Sequence, residues 1–340
     1  MINRMKSILL LFVLSALCAS NSAACSKPVF RYALERWFAS PYEFVVLHKG
    51  AIDESTRERL GELLPEGAFD LSLSYVDVEK GVDVDAEAKM SQRKRAVLKR
   101  WRDNPDPARL PLAMLLPPDD IPCDQPIFWE GRIDAAGVKA LRKQIYGPIV
   151  RQLLEKLAAG DAAVWILVKG PDEAKNRQTR ELLDKSLSQL EKELKLPHEQ
   201  DPTDTQYDDG LAPGIPMRMS FGVMEAELDD PANRLLKDSL MAIAAERLKQ
   251  PGPKVIPVFG RGRALDILHA DEIDAEILQD ITFFLVGPCS CRVKELNPGF
   301  DLLAPFPWEW ILYEETEFDA VMKEITDTRG VLGKTDGVAK

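Results

Sequence analysis

The chain has 340 residues, 45% of them hydrophobic, and a formal net charge of −11. That is long enough for two domains with full cores, and the acidic balance argues against a nucleic-acid binder or a binder of anionic membranes. Beyond residue 24 no apolar run reaches the roughly 18 residues a membrane span needs.

The chain opens as a secretory signal over 1–24. Arg4 and Lys6 form the positive start, Ile8 to Leu17 is nearly all apolar, and Ser22 and Ala24 are the small residues before a cut that leaves Cys25 first. Cleavage removes two cations and no acid, so −11 becomes −13. Cys25 is then placed as a lipid anchor would be, although Ser22 stands where a lipidation signal wants an apolar residue. The expected location is the periplasm or cell envelope.

Strand and helix patterns then recur in the same order twice. In the first copy Glu43–His48 is an apolar strand and about Asp53–Leu64 a charged helix. Leu71–Val78 alternates as a half-buried strand does, and about Asp85–Arg102 is a second, highly charged helix. Pro111–Leu116 and Pro126–Trp129 are two further strands, and a helix starts near Asp134. The second copy runs through a strand at Ala162–Val168 and a helix at about Asp172–Leu194, striped by Leu183, Leu187, Leu190 and Leu194. A strand at about Met217–Met224 follows, then a helix opened by Asp230-Pro231. Strands at Val255–Phe259 and Arg263–Leu268 and a helix at about Asp271–Asp280 complete the copy, and Phe284–Val286 reads as one more apolar strand.

This order resembles the thioredoxin-like fold, with Pro111 and Pro257 near the family's cis-proline position. The expected class is α/β: two tandem thioredoxin-like βαβαββα halves with a C-terminal CxC-containing extension. The halves would be 25–146 and 162–325, joined by a linking helix at 147–161 and followed by a flexible tail at 326–340. The run Cys25-Ser-Lys-Pro-Val-Phe-Arg-Tyr-Ala-Leu-Glu-Arg-Trp37 and the segment Gly287-Pro-Cys-Ser-Cys291 resemble exported bacterial proteins of uncharacterised activity with two such halves. That resemblance implies an address and a fold, not a reaction.

Thioredoxin-family redox chemistry needs Cys-x-x-Cys where the first strand meets the first helix, so that the helix N-terminus acidifies the attacking thiol. Neither Leu47–Asp53 nor Val168–Asp172 contains a cysteine. The chemistry-bearing candidates are therefore Cys289 and Cys291. They would be a redox dithiol with Arg292 and Lys294 favouring thiolates, or metal ligands with Cys25, Cys123 or one of His48, His198 and His269. The third reading is a structural staple. Cys25, Cys123, Cys289 and Cys291 pair off without remainder in an oxidising compartment, and this reading leads.

Gly260-Arg261-Gly262-Arg263 has the composition of an anion nest but sits where a hairpin turn is expected. The basic cluster Arg93, Lys94, Arg95, Lys99, Arg100 and Arg102 would face an acidic partner or solvent. Asp201, Asp204, Asp208 and Asp209 lie in an expected exposed loop without EF-hand spacing. Trp308 and Trp310 read as the cover of a core edge. No cofactor and no resident metal is expected. The favoured function is a non-catalytic binding or structural module of the envelope with an unidentified protein partner. The rival is a thiol-disulfide oxidoreductase or redox sensor using Cys289 and Cys291, and a metal-handling protein is the weaker third.

Overall fold

A computed structural model describes residues 27–61, 63, 70–81, 83–121, 123, 125–133, 135–196, 211–288 and 293–326. The signal segment, Cys25, the Cys289–Arg292 stretch, the aspartates between 201 and 209, His198 and the tail beyond 326 lie outside the described residues.

The fold is mixed α/β around two sheets. Helix α1 (Val29–Arg36) precedes strand β1 (Tyr42–His48), α2 (Glu54–Gly61) and β2 (Leu71–Asp77). Then come α3 (Val84–Ala88), α4 (Gln92–Asp103), β3 (Leu112–Leu116), β4 (Trp129–Arg132) and α5 (Ala135–Ile145). The first sheet has the order β2-β1-β3-β4, with β1 parallel to β2 and the other neighbours antiparallel. After α6 (Pro148–Ala158) the second sheet is built from β5 (Ala163–Val168), β6 (Phe221–Ala226), β7 (Lys254–Phe259), β8 (Arg263–Ala264), β9 (Leu268–His269) and β10 (Phe300–Asp301). Its path is β10-β8-β7-β5-β6, with β9 beside β7, and β5 and β6 are its parallel pair. The intervening helices are α7 (Glu173–Glu193), α8 (Arg234–Leu248), α9 (Ala275–Val286), α10 (Trp308–Leu312) and α11 (Phe318–Thr326).

Continuous apolar strands follow from helices on both faces of each sheet. Side chains alternate across a strand. Phe44 and Val46 therefore join the core that holds Leu60, Val138, Leu141 and Ile145, whereas Val45 and Leu47 meet Val97 and Leu98 of α4. In β5, Trp165 and Leu167 pack on the leucines of α7, and Val164 and Ile166 on the Leu153, Leu154 and Leu157 stripe of α6.

Several expected elements shift. The charged helix of the first copy is two helices, because Asp83 caps one and Ser91 caps the next, accepting from Lys94 N. The strand expected at Pro126–Trp129 is instead Trp129–Arg132, since the proline has no N–H for the ladder. The strand expected at Met217–Met224 starts later, at Phe221. Arg263–Leu268 is broken into two short strands around Leu265, whose N–H bonds Pro257 O at 2.8 Å.

The expected apolar strand Phe284–Val286 is the last turn of α9. Asp274 caps this helix, and Leu278, Thr282 and Leu285 bury one helical face. Among the described residues the one cis peptide is Leu110–Pro111. Pro257 lies inside the ladder opposite Trp165, and Pro253, just before β7, takes the position that Pro111 holds before β3.

Helix α1 precedes the first sheet in the chain but packs on the second. Val29, Phe30, Ala33 and Trp37 share a core with Trp165, Phe259 and Leu285. Arg31, buried in that helix, donates to Ile215 O at 2.7 Å, Ala212 O at 2.6 Å and Glu35 Oε1 at 2.6 Å. The stretch after β10 crosses back, placing Leu303 in the core of the first sheet.

Candidate functional site

Both strand–helix junctions end in carboxylate caps. After β1, His48 Nδ1 lies 2.8 Å from Gly50 O, and Asp53 accepts from Thr56 N at 2.9 Å, Thr56 Oγ1 at 2.7 Å and Ser55 Oγ at 2.6 Å. After β5, Asp172 accepts from Ala174 N at 2.9 Å and Lys175 N at 3.2 Å. Asn176 closes the preceding turn through two reciprocal 2.9 Å bonds with Gly170. The N–H groups that would stabilise a thiolate are thus already paired with aspartate.

The seam between the sheets is a buried polar cluster centred on Asp301. Its Oδ2 accepts from Ser40 N at 2.7 Å and from Lys294 Nζ, and its Oδ1 from Arg263 Nη1 at 3.2 Å. Lys294 also donates to Phe38 O and Ser40 Oγ, both at 2.9 Å, and the Tyr42 hydroxyl to Asp301 O at 3.1 Å. Burial, with Asp301 next in effect, holds the Tyr42 phenol well above its ordinary range. Close by, the Tyr146 hydroxyl donates to Pro305 O at 2.9 Å. Asp70 is buried with its Oδ1 unpartnered, and its carboxyl lies within the influence of the Phe306 N–H and of Arg261.

Beside this cluster is a cleft of about 500 Å³ lined by Ala242, Ile243, Ala244, Phe300, Ile267 and Cys123, with Glu246, Arg247 and Asp266 as its charged members. Helix α8 is kinked at Ala244 (φ −141°, ψ 46°), which sets the alanine-rich stretch along the cleft wall. The Cys123 thiol is half-buried and unpaired, 3.5 Å from Gln125 O. Apolar walls with a few polar groups suit a small or partly apolar ligand.

The sequence candidates distribute as follows. Gly260–Arg263 forms the β7–β8 turn, with positive φ at Gly260 and Gly262. Both guanidiniums are directed at internal partners. Arg261 donates to Leu34 O at 2.8 Å and Glu309 Oε1 at 2.8 Å and lies 4.5 Å from the Phe38 ring, and Arg263 reaches Pro298 O, Asn297 O and Asp301. Neither is disposed as an anion nest would need.

The basic cluster divides. Arg93 donates to the carbonyls of Pro118, Ile121, Cys123 and Gln125, and Lys94 pairs with Glu43 at 2.6 Å. Arg95 reaches Met90 O, while Lys99, Arg100 and Arg102 pair with Asp103, Glu130 and Glu87. Trp308 is buried in the core, as a cover residue should be. His269 caps the following turn, accepting from Asp271 N. Among the described residues no His, Cys, Asp and Glu group could hold a metal ion, and no helix is long and apolar enough to cross a membrane.

Sequence reasoning missed Asp70 and Asp301 and gave Lys294 to the Cys289–Cys291 thiols, whereas its ammonium is bonded to Asp301, Phe38 O and Ser40 Oγ. The one local signal was the Arg31–Glu35 pair, spaced i, i+4 inside a helix otherwise apolar on that face. The chain matches no family model and no curated protein.

Proposed function

We propose that the chain is an exported envelope protein of two thioredoxin-like halves that binds rather than catalyses. The sheet orders β2-β1-β3-β4 and β6-β5-β7-β8, each with one parallel and two antiparallel neighbours, support the two halves. The observation that carries the non-catalytic reading is the pair of caps. Asp53 and Asp172 stand where an attacking thiol would be, and they accept the bonds that would acidify it. The cleft between the sheets is the place we assign to a ligand or partner segment.

We further propose that Cys25 is stapled to the Cys289–Cys291 pair. Pro28 bridges Pro288 in antiparallel fashion, and Val29 N bonds Gly287 O at 3.0 Å. Cys25 and Cys291 each stand three residues along the chain from that bridge, and Cys289 stands one. The test is a non-reducing peptide map of the mature protein, run with a dithiol-driven disulfide-reduction assay. A Cys25–Cys291 or Cys25–Cys289 link with no turnover is expected. A 289–291 bond with turnover would make the protein an oxidoreductase instead, and a lipid on Cys25 would leave it no sulfur for the staple.

A further inference from the structure

Most charge at the seam is compensated. Asp301 has Lys294 and Arg263, and Glu35 has Arg31 and Lys27. Asp70 is not. It precedes β2 at 6% exposure and receives Tyr42 N on its backbone carbonyl at 3.0 Å, while the hydroxyl of the same tyrosine donates across the seam to Asp301 O. Its Oδ1 is buried without a partner.

The groups around it come from both halves of the chain. Tyr42 lies on β1, Tyr146 and Arg142 at the end of α5, and Arg261 in the β7–β8 turn. Asp301 lies on β10, where it is bonded by Arg263 of β8 and by Lys294 of the turn before β10, and Glu309 lies on α10. Cys123 and Asp120 flank Tyr42. Arg261 is a cation within electrostatic reach of Asp70, but its guanidinium is bonded to Leu34 O and Glu309. An ionised Asp70 would therefore be a buried charge without a bonded cation, next to the negative Asp301. A protonated Asp70 needs no counter-charge.

We propose that Asp70 makes the seam between the two sheets a proton-controlled junction, tight when its carboxyl is protonated and progressively easier to open as it must ionise. The placement agrees with its titration. Burial pushes its carboxyl from 3.8 up to about 7, against the opposing backbone N–H groups and Arg261. Where the junction opens, water restores an ordinary carboxylate. The opening equilibrium then rises about tenfold per pH unit between the two values and levels off above the higher one. The cleft shares this seam through Cys123 and Phe300, so its access is under the same control. This inference depends neither on export nor on the thioredoxin-like reading.

The experiment is amide hydrogen exchange on the whole mature protein at pH 5 and pH 7, corrected for the intrinsic rates. The amides to follow are those of Phe306 and Tyr42, with β5 amides as the internal reference. In the wild type, protection of the two seam amides should fall about fiftyfold relative to β5. In Asp70→Asn it should change less than about threefold on the same scale. Equal pH dependence in both proteins, or none in the wild type, overturns the proposal. Should the variant not fold, the side-chain carboxyl carbon shift of wild-type Asp70 decides: a midpoint near 7 supports the junction, and one near 4 overturns it.

Discussion

Replacing Asp301 with alanine tests whether the seam is dry. The side chains of Asp301, Lys294 and Arg263 are 4%, 9% and 8% exposed. The substitution removes three accepted bonds, from Ser40 N, Lys294 and Arg263, and leaves two buried cations facing each other without an anion. Breaking a buried pair by removing one partner costs about 3–5 kcal/mol. Lys294 keeps Phe38 O and Ser40 Oγ, and Arg263 keeps Pro298 O and Asn297 O, so the loss should fall toward the lower end, about 3 kcal/mol.

Urea unfolding at pH 6 measures it, as a lower midpoint at unchanged slope. Lys294→Met combined with Asp301→Asn should cost less than the sum of the single changes, because neither charge of that pair is then stranded. A loss under about 1 kcal/mol, or one that vanishes in 1 M salt, would mean that the triad is solvated like a surface pair. The seam would then be open to water, and its charges would not need one another.

Other sites give sharper contrasts. The raised carboxyl of Asp70 means that the folded state binds its proton more tightly than the unfolded chain does. Stability contributed there is full below pH 3.8 and lost as pH climbs to about 7, a total on the order of 4 kcal/mol. Thermal melts of Asp70→Asn should show that slope removed. Arg93→Ala should lower stability by about 2–3 kcal/mol, since the buried carbonyls of Pro118 and Ile121 and the less buried ones of Cys123 and Gln125 lose their donor, whereas exposed Lys99→Ala should change it by less than about 0.5 kcal/mol. Similar losses would mean that the basic cluster is one surface stripe. Gly214→Ala would set a Cβ 1.6 Å from Ile311 O, so the variant should misfold or melt far lower. Wild-type melting would show that this approach is not made. Cys123 should react with a small maleimide at a rate well below that of an exposed thiol, and any occupant of the cleft should slow it further.

The strand–helix alternation was legible because both sheets are covered on both faces. Runs such as Phe44–Leu47 and Val164–Val168 must then be apolar throughout, and their length separates them from helices. Helix identity was less legible where apolar residues run together. In Ile281–Val286 the burial of Leu278, Thr282 and Leu285 at helical spacing outweighed a composition that suits a strand. The basic cluster misled for a related reason. Arg93 and Lys94 share the inward face of α4 with Val97 and Leu98, at the i, i+4 spacing that a count of charges does not register.

The site was harder to read because its members are meaningful only in pairs that the fold assembles. Asp301 meets Ser40 across 261 residues, Arg31 meets Ile215 across 184, and Arg261 meets Leu34 across 227. In the sequence none of these charges shows its long-range partner, and a charge without a visible partner is by default on the surface. Only burial turns it into a constraint, because a buried charge must find its partner or give up its ionisation. Asp301 found two cations, and Asp70 has a buried oxygen without a partner and no bonded cation. That asymmetry between two aspartates of one seam is why the first should behave as a fixed weld and the second as a group whose protonation sets how firmly the halves hold.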